Sequence, residues 1–418
     1  LFNRTVNFKK ITQVNKKNLI FKNSIQKKYI DNKLVKKLSK EFNSVIAEVT
    51  KETSGSKKTL NVLNKNFKFN FKIKDLKKFK KFKTIALIGM GGSILGAEAI
   101  NNFLEKKIKK KIYFFNNLDA KKISRFKKKE NQNKVLFLII SKSGNTIETL
   151  SNFFTLNKIK KNAKNIILIS EKKNNLLFSL SKKFNLFHAE HRNYVGGRYS
   201  VLSEVGIIPS YLMGINIFKL RSNIRDFFNK KEKLFLKDSS IKLGSLLRSK
   251  KINNLIFLNY APELEKFLFW CQQLIAESLG KNSKGFLPVI SNVPKDHHSL
   301  LQLYLDGPKD KLFHIFSIEE KSKEIINIKG ITNNKNFLDK KNLSTVKIAQ
   351  KNALIETFKK NEIPFREFKI KNINEEVLGT LFSYFILETI VIGKLIKVNP
   401  YNQPAVEQVK VYTKKLLI

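Results

Sequence analysis

Glu277 stands near the end of the apolar run FLFWCQQLIAESLG, where a carboxylate is either satisfied at the surface or partly withdrawn from water. Partial withdrawal suits a general base, because a shielded carboxylate takes up a proton more readily. Arg198 follows two glycines in VGGRYSVLSEVG. A loop arginine is ordinarily solvated. Two preceding glycines, however, allow an unusual backbone that aims it into a cleft, where a guanidinium suits a phosphate or a developing enediolate. In KDHHSL the side chains of His297 and His298 diverge, so they do not easily share a metal; His298, ahead of a serine and a helix, is the candidate for proton transfer. His188 and His191 could face together on a helix turn, but no cysteine or paired carboxylate accompanies them, and no metal is expected. Gln403 and Lys410, in PYNQPAVEQVK, would mean nothing as surface helix residues and gain interest only from the company they keep.

A second group of residues reads as an anion grip. SKSGNTIETL, 141–150, follows the apolar run VLFLII. Asn145 and Glu148 have the spacing of a capping pair at a helix start. That accounts for Asn145, Thr146 and Glu148 and leaves Ser141, Lys142 and Ser143, placed where exposed backbone N–H groups and the helix dipole favour an anion. The glycine loop IGMGGSILGAEA, carrying Ser93, ends an earlier apolar run and resembles two nucleotide motifs without satisfying either. The dinucleotide fingerprint wants glycine where Ile94 stands, and a P-loop wants lysine where Ala97 stands. Small residues at a strand–helix turn still let a ligand approach the backbone closely.

These residues need elements to hold them. TIALIGMGG, KIYFFNN, VLFLII and NIILIS are strand-like runs separated by helical stretches, and LIFLNY, GFLPVIS, KLFHIFSI and PFREFKI repeat the pattern later in the chain. Continuous apolar strands alternating with helices of this length indicate parallel sheets covered on both faces, at whose C-terminal edges ligands bind. The fold expected is α/β: a helical extension over 1–60, α/β sandwich domains over 61–230 and 231–400, and a C-terminal helix over 401–418. In the extension, Ile30, Leu34, Leu38, Phe42, Ile46 and Val49 form one apolar helical stripe. LGTLFSYFILETIVIGKLI, 378–396, is long and apolar enough to suggest a membrane span. Glu388 and Lys394 interrupt it, so it reads as a helix buried between layers, and no membrane partner is expected.

At 418 residues and 42% hydrophobic content the chain is globular in character. Its single cysteine, Cys271, excludes an internal disulfide and fits a reducing compartment. The start, LFNRTVNFKK, has no apolar leader and opens on Leu, which points to a truncated beginning. The 82 Lys+Arg against 33 Asp+Glu give a net charge of +49. Lysine is spread along the chain with Asn, Ile and Phe, as A/T-biased codons produce, and no nucleic-acid motif accompanies it. Attraction of an anionic small substrate explains the charge better than a nucleic-acid partner.

GMGGS, SKSGNT, VGGRYSVLSEVG, ESLGK, HSL and NQPAVEQVK together resemble, in order and approximate spacing, the glucose-6-phosphate isomerase family of the shorter bacterial type. The resemblance runs from about residue 60 to the C-terminus; Ala405 departs from it, standing where a glycine is common. It implies two three-layer αβα sugar-isomerase sandwich domains and a cytoplasmic homodimer with shared active sites, working without cofactor or metal on a sugar phosphate. It implies that Ser141, Ser143 and Thr146 grip the phosphate beside Ser93 and Lys142, and that Gln403 contacts substrate. Glu277 would move a proton between C1 and C2 through a cis-enediol, and Arg198 would stabilise the enediolate. His298, from the partner subunit, would open the ring with Lys410.

Overall fold

The computed structural model describes residues 13–16, 18–156, 159–319, 322–328 and 336–418. The strands run in chain order as β1 (Gln13–Lys16), β2 (Leu19–Ser24), β3 (Thr84–Gly89), β4 (Lys111–Phe115), β5 (Val135–Ile140), β6 (Ile166–Ser170) and β7 (Phe187–Glu190). They continue as β8 (Asn254–Asn259), β9 (Leu287–Asn292), β10 (Lys311–Ile318) and β11 (Phe365–Ile370). One sheet has the order β4-β3-β5-β6-β7 and is parallel throughout. The other, β1-β2-β11-β10-β8-β9, is parallel from β11 to β9.

Alternation along the strands decides which core each residue serves. Leu136, Leu138 and Ile140 of β5 share one core with Leu255 and Phe257 of β8 and with Phe316 and Phe368. Phe137 and Ile139 point the other way, toward Phe153 and Leu177, while Ile256 and Leu258 meet Leu354 and Phe358 behind the second sheet. Each sheet is therefore covered on both faces, which is why its strands read as unbroken apolar runs.

The apolar helix expected near 378–396 spans Glu375–Leu395 and is core: 94% of its most hydrophobic window is buried. Its two interrupting charges are paired inside the protein. Glu388 meets the buried Arg366 at 2.7 Å, and Lys394 meets Glu48 and Glu52 at 2.7 and 2.8 Å.

The predicted apolar stripe near the N-terminus buries Leu38, Phe42, Ile46 and Val49 on the helix Asn32–Ser54, which Asp31 caps by accepting from the backbone N–H groups of Lys33 and Leu34. Ahead of it stands a feature that helical periodicity does not predict. The antiparallel hairpin β1-β2 adds to the edge of the second sheet, with β2 antiparallel to β11. Leu19 and Phe21 alternate into the core and supply the reason. Residues 1–12 of this segment lie outside the described residues.

In the first sheet the chain builds to opposite sides of β3, with β4 on one flank and β5 on the other. A crevice opens at such a switch point beyond the strand C-termini. The loops that follow β3 and β5 are GMGGS and SKSGNT.

Candidate active site

SKSGNT folds into a tight hydroxyl cluster. Ser141 Oγ lies 2.8 Å from Thr146 Oγ1, and Ser143 Oγ lies 3.4 Å from the same atom. Gly144 makes the turn: its φ of +69° is left-handed, and a Cβ there would stand 1.8 Å from Asn175 Oδ1. Thr146, whose carbonyl accepts from the Leu150 N–H, precedes the helix Ile147–Leu156, so the three hydroxyls gather at a helix N-terminus. Asn145 does not cap that helix, contrary to the sequence reading. Its Oδ1 instead accepts from Leu176 N at 2.8 Å, the first residue of the neighbouring helix Leu176–Lys183. Lys142 donates to the Asn193 carbonyl at 2.8 Å and lies 3.8 Å from Glu171. Burial lowers its pKa, with Glu171 opposing and Lys173 and Arg198 adding to the shift. Ser93, in the neighbouring glycine loop, is buried.

The second cluster is built on Arg198. The two preceding glycines do not act through an unusual backbone, as the sequence suggests: Gly196 has φ −65° and ψ 146°, which any residue adopts. They act by closeness. A Cβ on Gly92 would fall 2.2 Å from the Gly197 carbonyl carbon, so the GMGGS and VGGRYS loops pack backbone to backbone. Arg198 is thereby buried with all five N–H donors engaged. Nε donates to Ser278 Oγ at 2.8 Å; Nη1 donates to Glu277 Oε2 at 3.0 Å and Gln403 Oε1 at 2.8 Å; Nη2 donates to the carbonyls of Pro400 at 2.6 Å and Asn402 at 3.2 Å.

Glu277 lies in the last turn of the helix Glu265–Leu279, and its other oxygen accepts from Gln273 Nε2 at 2.9 Å. Gln273 sits one turn earlier and presses on the glycine loop: a Cβ on Gly91, whose φ is +52°, would be 2.6 Å from that same nitrogen. The carboxylate is thus held at both oxygens while its side chain stays 32% exposed. A fixed, reachable carboxylate beside a buried cation suits removal of a proton from a carbon whose conjugate base carries negative charge.

A sequence profile of phosphoglucose isomerase matches residues 39–417. The chain belongs to the phosphoglucose isomerase family. A probable glucose-6-phosphate isomerase of Methanococcus maripaludis is 34% identical over 381 residues, 88% of this chain and 84% of that protein. The glucose-6-phosphate isomerase of Campylobacter jejuni is 32% identical over 80% of this chain and 85% of its own length. The crystal structure of a glucose-6-phosphate isomerase from Chlamydia trachomatis shares the fold, with TM-score 0.76 at 15% identity over 97% of this chain and 89% of that one.

Arg198, Glu277 and Gln403 come together, and Ser141, Ser143 and Thr146 come together. His298 and Lys410 do not join them. Among the described residues no hydrogen bond or ion pair links either to the Glu277–Arg198 cluster. His298, itself exposed, ends the turn Lys295–His298 after β9. Lys410 lies on the exposed helix Glu407–Leu416 and pairs at 2.7 Å with Glu407. His188 sits on β7 rather than on a helix turn, with Ser170 Oγ at 3.0 Å; the buried His191 follows that strand. Sequence reasoning also missed Gln273, Ser278 and Tyr199. Gln273 carried a usable signal, standing four residues before Glu277 on one helix face.

Proposed function

We propose that the Glu277–Arg198 cluster is where this isomerase moves its proton. The family reaction is the reversible isomerisation of the aldose glucose 6-phosphate and the ketose fructose 6-phosphate, a step of glycolysis and gluconeogenesis. Ser141, Ser143 and Thr146 hold the substrate's phosphate, with Ser93 and Lys142 beside them and Gln403 contacting the sugar. Glu277 takes the proton from C2 of the open-chain aldose. The C2–H electrons form the C1–C2 double bond of a cis-enediolate while the C1 carbonyl pair moves onto O1. A proton passes from O2 to O1, the C2–O2 bond becomes the carbonyl, and the double-bond electrons take the proton back from Glu277 at C1 to leave the ketose. Arg198 supplies the positive charge that this anion needs, as charge more than as a fresh donor, since its N–H groups are already engaged.

One observation carries this reading: Glu277 is fixed by Arg198 and Gln273 yet open to a substrate. The exposed His298, which has no hydrogen bond or ion pair to that cluster among the described residues, supports a homodimer in which the partner subunit's turn brings this histidine over the carboxylate to open the sugar ring with Lys410. The buried free thiol of Cys271 suits the cytoplasm. A coupled assay of fructose 6-phosphate conversion tests the assignment. Glu277→Gln is expected to bind sugar phosphate and to lose turnover by at least ~10²-fold; a Gln variant that turns over normally would remove Glu277 from the role.

A further inference from the structure

The segment joining the buried helix Glu375–Leu395 to the terminal helix Glu407–Leu416 crosses the site as a strap. Its backbone carbonyls are held by side chains from elsewhere in the chain. Lys284 Nζ donates to the Ile396 carbonyl at 3.0 Å, and Lys281 Nζ donates to the Asn399 carbonyl at 2.6 Å. Arg198 takes the carbonyls of Pro400 and Asn402, and Tyr199 Oη also donates to Pro400 O at 2.7 Å. Beyond these, Tyr401 Oη donates to Glu52 of the helix Asn32–Ser54. A segment outside any sheet ladder depends on such side-chain donors to fix its backbone.

We propose that Lys281 is a positioning residue of this isomerase: by holding the Asn399 carbonyl it fixes the strap, which keeps Gln403 on Arg198 and Arg198 on Glu277. The proposal rests on the reading of Glu277 as the base. Lys281 stands four residues beyond Glu277, just past the helix end, where its ammonium also donates to the Ser278 carbonyl at 3.1 Å. It therefore bridges the terminus of the helix bearing the base and the strap bearing Gln403. An ammonium at a helix C-terminus is favoured by the exposed carbonyls there, and its bonds to neutral acceptors are charge-assisted. Arg198 and Tyr199 also hold the strap, but both belong to the cluster itself. Lys281 touches neither carboxylate oxygen of Glu277, so its removal tests the strap without removing a member of the cluster.

The test compares Lys281→Met and Lys281→Arg by steady-state kinetics on fructose 6-phosphate and by mapping the rate of tryptic cleavage after Lys397. Loss of one charge-assisted bond predicts that kcat/KM falls about tenfold in Lys281→Met, mostly through KM, while cleavage after Lys397 accelerates. Lys281→Arg, which keeps the charge and several donors, is expected to recover at least half of both effects. Wild-type kcat/KM in Lys281→Met overturns the proposal. So does a lowered kcat/KM with unchanged cleavage after Lys397, which would make Lys281 a bystander charge, or an Arg variant no better than Met. Should Lys281→Met not fold, Lys281→Gln is scored on the same two readouts. Glu277→Gln, measured alongside, separates the two readings: normal turnover there removes the base, whereas the cleavage result judges the strap independently.

Discussion

Arg198 and Glu277 meet at 3.0 Å with opposite relations to solvent: the guanidinium side chain is 2% exposed and the carboxylate side chain 32%. The cation is thus scaffold and the anion is tool. Taking Arg198 from this pair leaves Glu277 uncompensated and also frees the strap.

Lysine at 198 retains the charge but offers three donors from one nitrogen instead of five in a planar fork. It cannot serve Ser278, Glu277, Gln403 and two backbone carbonyls at once. Arg198→Lys is therefore expected to lower kcat/KM by about 10²-fold and to destabilise the fold by roughly 1–3 kcal/mol, the cost of buried acceptors left unpaired. Coupled-assay kinetics and denaturant unfolding of the same preparation check both figures. Loss of activity at unchanged stability would mean that the strap carbonyls find other donors.

The hydroxyl cluster makes a different prediction, because the part of the substrate that the proposed function assigns to it does not react. Ser143→Ala with Thr146→Ala removes the central hydroxyl, Thr146 Oγ1, on which Ser141 Oγ and Ser143 Oγ converge, together with one of those two. KM for fructose 6-phosphate is expected to rise at least ~10-fold with kcat much less affected, as loss of uniform binding requires. An unchanged KM would move the phosphate to another loop.

Lys281 gives the site a pH dependence whose sign differs between activity and stability. Burial, helped by Arg198 from the neighbouring loop and opposed by Glu277 from its own helix, lowers its pKa to about 8. Above that pH the ammonium loses its charge and its charge-assisted bonds to the Asn399 and Ser278 carbonyls weaken, so the strap loosens and kcat/KM falls on an alkaline limb centred near 8. Stability runs the other way. Between about 8 and the ordinary lysine value of 10.5 the unfolded chain binds the proton that the folded chain has released, so this group's contribution to stability rises with pH. Kinetics and thermal unfolding between pH 7 and 10 separate the two. An alkaline limb that tracks falling stability would belong to general unfolding rather than to Lys281.

Much of this was legible in the sequence for a physical reason. Interior parallel strands must be apolar on both faces, so VLFLII and its fellows announced the sheets, and each binding loop was named by the strand it ends. Arg198 and Glu277 could be nominated by type, and Gln403 only through the family resemblance. What periodicity could not supply were relations between distant segments. The hairpin β1-β2 is too short to outweigh the helical stripe behind it. Asn145 has the spacing of a cap but serves a different helix. Gly196 and Gly197 signalled a special backbone, whereas the requirement is the approach of Gly92, which lies on another loop. The Asn145 and Gly92 misses concern contacts whose partners stand far away in sequence, where local pattern carries no information.

His298 and Glu277 are both needed for the reaction proposed here, yet nothing within one chain brings them together among the described residues. If the histidine is delivered by a partner subunit, defects in the two residues must complement across the dimer. Glu277→Gln and His298→Ala homodimers are each expected to be nearly inactive. Co-refolding equal amounts yields half heterodimers on random assortment. Each heterodimer then carries one site that takes Glu277 from one subunit and His298 from the other, both intact, and a second site that lacks both. Activity should return to about a quarter of wild type. If each site were instead built within one subunit, every site in the mixture would lack one of the two residues and no activity would return. A titration of mixing ratios peaking at equal amounts would establish exchange; a flat, inactive series would place His298 and Glu277 in the same subunit or remove the histidine from the reaction.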